Sequence, residues 1–136
     1  MKPLMTHEDE EELFRKLVEY YQNIYPGLAF TEIKERLTRQ HIAEICYTYP
    51  GEENSATFKD RVIQIRKAIK EKGYDTPVII LRKLGEKKDI LLDGHRRLKV
   101  AWEEGLDWDA LVMVPSREHD FGIEKMVEGK IRQIWR

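Results

Sequence analysis

The sequence predicts an α+β fold, and two observations carry that prediction. Apolar residues recur at helical spacing in segments such as Leu13, Phe14, Leu17, Val18 and Tyr21, whereas Val78-Ile79-Ile80-Leu81 and Ile90-Leu91-Leu92 are short apolar runs bounded by turn residues. A chain of 136 residues supports one domain with a real core. Hydrophobic residues make up 41% and charged residues 36%, the profile of a soluble globular protein. The 24 basic and 25 acidic residues are intermixed and leave a net charge of -1, so no long-range basic field attracts nucleic acid and DNA binding is not expected. A local basic patch is the exception, drawn from Arg82, Lys83, Lys87, Lys88, Arg96, Arg97 and Lys99. Cys46 is the sole cysteine, which excludes an internal disulfide or a cysteine metal cluster. No apolar run is long enough to span a bilayer, and Met1-Lys2-Pro3-Leu4 is too short for an export signal, so the expected setting is cytoplasmic with no membrane partner.

The elements follow in order. Thr6 caps a first helix whose acidic opening, Glu8 to Glu12, complements the helix dipole; its apolar stripe is Leu13, Phe14, Leu17, Val18, Tyr21 and Ile24, and it closes before Pro26-Gly27. Thr31 opens a further helical stretch with Ile33, Leu37, Ile42, Ile45 and Cys46 apolar, restarted at Thr38 as a second short helix. Residues 1–47 therefore read as a helical N-terminal extension, 48–115 as the core and 116–136 as a C-terminal helix, all within a single domain 1–136. Tyr47 to Ser55 is a turn-rich loop bearing Glu52 and Glu53. A helix over 58–72 with Phe58, Val62, Ile65 and Ile69 as its seam ends at Gly73, followed by a strand from Pro77, a hairpin loop at 84–88 and a strand over 89–92. After the next helix, a strand over 108–115 leads to the polar connector 116–121. A final helix carrying Ile123, Met126, Val127, Ile131, Ile134 and Trp135 reads as a packing or homodimer element. His7 reads as part of a solvated first turn, His41 as a surface or interface histidine, His119 and Asp120 as a solvated loop, and Trp102 and Trp108 as core.

The chemistry concentrates where Ile90-Leu91-Leu92 stops at Asp93-Gly94 and His95-Arg96-Arg97 opens a helix. Gly94 lets backbone approach a ligand with no Cβ in the way, and a helix start presents N–H groups at its positive end. Arg96 and Arg97 add guanidinium forks suited to phosphate, and His95 adds a donor or proton relay. Asp93 beside a phosphate needs a metal, an amine or an arginine to neutralise it. Taken alone the pentapeptide is a common turn with Asp93 as a cap and solvated arginines; the flanking order of elements favours an anion site.

That segment, with the order helix, strand, hairpin, strand, motif, helix and strand around it, resembles the ParB/sulfiredoxin-like superfamily over about half of the chain. Chromosome-segregation ParB domains carry Gly-Glu-Arg-Arg, which keeps Gly94, Arg96 and Arg97 but puts glutamate at His95. Sulfiredoxins would need cysteine at Gly94, which disfavours sulfinic acid reduction. The free-serine kinase branch carries Asp-Gly-His-x-Arg, which Asp93, Gly94, His95 and Arg97 fit. The resemblance implies a small mixed sheet flanked by helices, here with extra N-terminal helices. It also implies a nucleotide (ADP, ATP or CTP) held by Gly94, His95, Arg96 and Arg97, and a small hydroxyl-bearing acceptor. Asp93 would orient substrate or hold magnesium, and Glu53, with Glu52 as its understudy, would be the general base. Without the resemblance, Glu52 and Glu53 are acidic residues near a helix start. The expected function is thus a kinase-like phosphotransferase or nucleotide hydrolase. A nucleotide-responsive ParB-like binding module, protein- or DNA-associated, is the alternative, and a ParB-like nuclease ranks last because it needs metal ligands beside an extended basic groove.

Overall fold

Thr6 starts the first helix as the sequence requires: its hydroxyl accepts the Asp9 N–H at 3.1 Å and the Asp9 carboxylate accepts the Thr6 N–H at 3.0 Å, closing a capping box on α1 (His7–Ile24). Phe14 and Tyr21 are buried and Leu13, Leu17 and Val18 pack against them, while Ile24, in the last turn, is exposed. The structure, a computed structural model, describes residues 3–48 and 55–135.

The expected helix from Thr31 is a strand. β1 (Phe30–Leu37) pairs antiparallel with β5 (Trp108–Pro115), from Phe30 opposite Pro115 to Leu37 opposite Trp108. Ile33 and Leu37 lie four apart, which is one helical turn but also two strand repeats, so spacing alone does not choose; pairing with β5 does. Thr38 does open a helix, α2 (Arg39–Glu44), its hydroxyl accepting the His41 N–H at 3.3 Å. Cys46 is buried, but in strand β2 (Cys46–Tyr47) and not in a helix. Residues 1–47 are thus no helical extension: they supply two strands of the sheet.

The remaining core elements fall close to their expected bounds: α3 (Ala56–Lys72), β3 (Val78–Lys83), β4 (Lys88–Asp93) and α4 (His95–Glu104). The C-terminal helix does not form as one element. A 3-10 turn (Ile123–Met126), a two-residue strand β6 (Gly129–Lys130) and a single helical turn α5 (Ile131–Ile134) replace it. Gly129 sits at φ +151, and Cys46 and Tyr47 draw Lys130 and Gly129 into the sheet, so tertiary pairing overrides an apolar pattern that reads as a helix.

The fold is α+β, built on a six-stranded mixed sheet in the order β1-β5-β3-β4-β2-β6. The β2/β4 and β3/β5 pairs are parallel and the β1/β5, β3/β4 and β2/β6 pairs antiparallel. Central strand β3 is buried on both faces, which explains its unbroken apolar run. Val78 and Ile80 join Leu37, Ile42, Leu91, Leu98 and Val112 under α2 and α4; Ile79 and Leu81 join Phe14, Tyr21, Leu111 and Met113 under α1. α3 lies outside α4, with Phe58, Val62 and Ile65 closing on Val100.

Two features place the site. Ile79 pairs with Asp93 but Ile80 with Leu91, so β4 bulges as it ends and re-aims the residues that follow. Arg82, Lys83 and Lys88 of the hairpin end are also engaged locally and make no patch with the motif. Arg82 bonds Glu35 and Asp89, Lys83 bonds Glu118 and Glu124, and Lys88 bonds Glu86, while Arg96, Arg97 and Lys99 lie past the opposite end of β4. Among the described residues no helix is long and apolar enough to cross a membrane.

Candidate anion site

Gly94 is the hinge of the site. It occupies the left-handed region at φ +95 and stands at the N-cap of α4, with no side-chain cap among the described residues, so Asp93 is not the cap of this helix. A Cβ built on Gly94 would lie 2.5 Å from Val78 Cγ1 and 2.8 Å from Arg97 Nη2. The space a side chain would fill is thus taken by the protein itself.

The two motif arginines are treated differently by the fold. Arg97 is buried; its Nη2 donates to Asp93 Oδ2 at 3.2 Å and also contacts the Glu10 carboxylate, which is itself fully buried on α1. Burial, with Asp93 close by, pushes the Glu10 carboxyl above the usual carboxylate range against the pull of Arg97. Arg96 is half-buried, and its guanidinium lies over the Phe58 ring at 5.5 Å.

His95 faces inward. The Thr48 hydroxyl lies 3.2 Å from the Leu91 carbonyl and 3.1 Å from His95 Nε2. A hydroxyl has one proton, and when Thr48 donates it to Leu91 it accepts the Nε2–H of a neutral imidazole. Tyr47 packs edge-on against the same ring at 5.4 Å. Burial lowers the imidazole to about 4, with Arg96 and Arg97 opposing its charge and Asp93 favouring it. The sign is definite: the folded state binds the proton less readily than the unfolded chain, so this contribution is intact above pH 6.5 and is lost as pH falls toward 4. The gap between 6.5 and about 4 corresponds to about 3 kcal/mol. Urea unfolding from pH 7 to pH 4 is expected to show a steeper loss for the native protein than for His95→Gln; parallel curves would mean that His95 titrates normally.

Two helices begin side by side here. α3 opens at Ser55, whose hydroxyl accepts the Phe58 N–H at 3.1 Å. It then runs parallel to α4, with Phe58 beside Arg96, Val62 and Val100 in one cluster, and Arg66 bonding Glu103 at 2.9 Å and Glu104 at 2.7 Å. Both positive helix ends therefore point the same way, next to the Arg96 guanidinium. Asp93, Gly94 and the first turn of α4 thus share one corner, but the side chains of His95, Arg96 and Arg97 turn to different partners. Glu52 and Glu53 lie outside the described residues.

Glu10 and Thr48 were missed in the sequence. Thr48 left no signal. Glu10 left one: it precedes Leu13, Phe14 and Leu17 at helical spacing, an acid on an apolar stripe. Elsewhere, Glu35, His41 and Asp89 present oxygen and nitrogen atoms within 4.8 Å of one another, a grouping a cation suits. The Arg82 guanidinium is that cation, donating to Glu35 at 2.9 and 2.7 Å and to Asp89 at 2.9 and 3.0 Å. Asp89 is held at about 2 although burial opposes this, because Arg82 and His41 both hydrogen-bond it, and His41 is raised chiefly by its 2.7 Å bond to Asp89. His41 is therefore a half-buried member of an ion-pair cluster. His7 bonds the exposed Asp75 at 2.7 Å, and Trp108 is buried with its indole donating to the Thr76 carbonyl.

No protein-family model matches this sequence, and no curated protein is significantly similar to it.

Proposed function

We propose that the chain is a nucleotide- or phosphate-binding domain of the ParB/sulfiredoxin-like kind that acts as a small-molecule phosphotransferase. The observation that carries this reading is the pair of parallel helices, α3 and α4, starting side by side at the Arg96 guanidinium, with no side-chain cap on α4 among the described residues. A phosphate placed there meets main-chain N–H groups, two helix dipoles and a bidentate donor, which is what phosphoryl transfer chiefly requires. The nucleotide is ADP, ATP or CTP and the acceptor a small molecule with a hydroxyl group. Asp93, which Arg97 also bonds, is the carboxylate that would hold magnesium beside the nucleotide, and the ion would supply charge neutralisation. His95, neutral and turned toward Thr48, orients the first turn of α4 and does not serve as a cation. Glu53, or Glu52, is the proposed base for the acceptor hydroxyl.

One observation favours a second reading, a nucleotide-responsive binding module without chemistry. Among the described residues, the carboxylates nearest the motif, Asp93 and Glu10, are both engaged by Arg97.

Calorimetric titration with ADP, ATP and CTP, with and without magnesium, tests the site. Arg96→Gln is expected to weaken the preferred nucleotide at least tenfold, because a charge-assisted bidentate contact is worth roughly 1.5–3 kcal/mol, while leaving the melting temperature nearly unchanged. No binding by the native protein, or native affinity in Arg96→Gln, rejects the anion site. Turnover that persists in Glu53→Gln would move the base elsewhere.

A further inference from the structure

Arg97 belongs to α4, which packs on one face of the sheet with Leu98 and Ala101 in the core beneath it. Glu10 belongs to α1, which packs on the other face with Phe14 and Tyr21. The two side chains meet although 87 positions separate them, and they meet beside Gly94, where the guanidinium passes 2.8 Å from the place a Cβ would occupy. Asp93, on the last position of β4, receives the same Nη2.

We infer that Glu10 is a positioning residue for the motif: from the far face of the sheet it holds Arg97 through the gap at Gly94 and across Asp93, so that Arg97 braces the turn from which α4 and the proposed anion site begin. The effect on the anion rests on the reading proposed above; the brace itself does not. The guanidinium and the Glu10 carboxyl are almost wholly removed from water, with side-chain exposures of 6% and 0%, so neither is a solvated surface charge. Breaking such a pair leaves a buried polar group without compensation, whereas replacing both members by apolar groups removes the problem. Among the described residues, the charges that face Glu10 are Arg97 from α4, Asp93 from β4 and Asp9 from its own helix, so Arg97 is the cation that holds it there. Glu10 thereby gives α1 a role that its packing on the opposite face does not explain.

The brace predicts strong coupling. Glu10→Leu and Arg97→Met are each expected to lower the folding constant at least a hundredfold in urea unfolding, and the double variant is expected to be no worse than the more harmful single. If a single variant does not fold, Glu10→Gln with Arg97→Gln serves as the cycle, with a coupling of at least tenfold expected. Additive effects in the cycle overturn the brace. ADP calorimetry supplies the readout that a purely structural role would leave unmoved. Folded Glu10→Leu is expected to bind ADP severalfold more weakly and Glu10→Gln, which keeps a hydrogen-bonding group at the same reach, to restore it, with Arg96→Gln weaker than either. Native ADP affinity in folded Glu10→Leu rejects the positioning role. Should the native protein not bind ADP at all, the anion reading fails, and the unfolding cycle alone decides for or against the brace.

Discussion

Gly94→Ala is expected to destabilise the protein by about 2–5 kcal/mol, the sum of a left-handed backbone penalty and an overpacked neighbour. The residue sits at φ +95, where an L side chain is strained whatever the space. Its Cβ would also lie 2.5 Å from Val78 Cγ1 and 2.8 Å from the Arg97 guanidinium. Val78 is fully buried in the main core and cannot retreat, so that clash stays unless the turn itself shifts, whereas the second is relieved only by Arg97 leaving Glu10 and Asp93. Urea unfolding at pH 7 measures the loss, and Val78→Ala in the same background separates its causes. Partial recovery in the double variant would show that the clash with Val78 contributes; no recovery would leave backbone strain and the displaced arginine. A Gly94→Ala protein as stable as the native one would mean that the turn is not built as described.

Phe58→Ala is the second large effect, at about 3–5 kcal/mol. Phe58 is 1% exposed in the first turn of α3 and closes the small core between α3 and α4 with Val62, Ile65 and Val100. It also carries the Arg96 guanidinium at 5.5 Å, so the substitution removes the platform of the arginine that is proposed to meet phosphate. Phe58→Leu refills much of the volume but not the ring face. It is expected to recover most of the stability, with nucleotide affinity remaining severalfold below native. Full recovery of both by leucine would show that Phe58 serves packing alone.

The brace and the platform together divide the adjacent arginines by task. On a helix, neighbours one residue apart project about 100° from each other, so two consecutive arginines do not share one ligand merely by being consecutive. Arg97 looks along the sheet end toward α1 and Arg96 toward α3. His95 takes a third direction, toward Thr48 and Tyr47. The run His95-Arg96-Arg97 is one string in the sequence and three environments in the fold.

What the sequence determined by itself is whatever local chemistry settles. Thr6, Thr38 and Ser55 cap helices because a hydroxyl can accept a main-chain N–H three residues on, and that needs nothing from elsewhere in the chain. Val78 to Leu81 is a central strand because β-branched residues on both faces suit no exposed position, and Gly94 begins a helix after a strand because it alone adopts that turn without strain. What only the tertiary structure decided is whatever pairs distant residues. Phe30 to Leu37 became a strand because β5 offered an edge, Gly129 and Lys130 because β2 did, and the helical spacing of their apolar residues fitted either outcome. Glu10, Thr48 and Phe58 met the motif for the same reason. A hydrogen bond or ion pair across 87 or 47 residues costs chain entropy that only the assembled core offsets, so no local window of the sequence contains it.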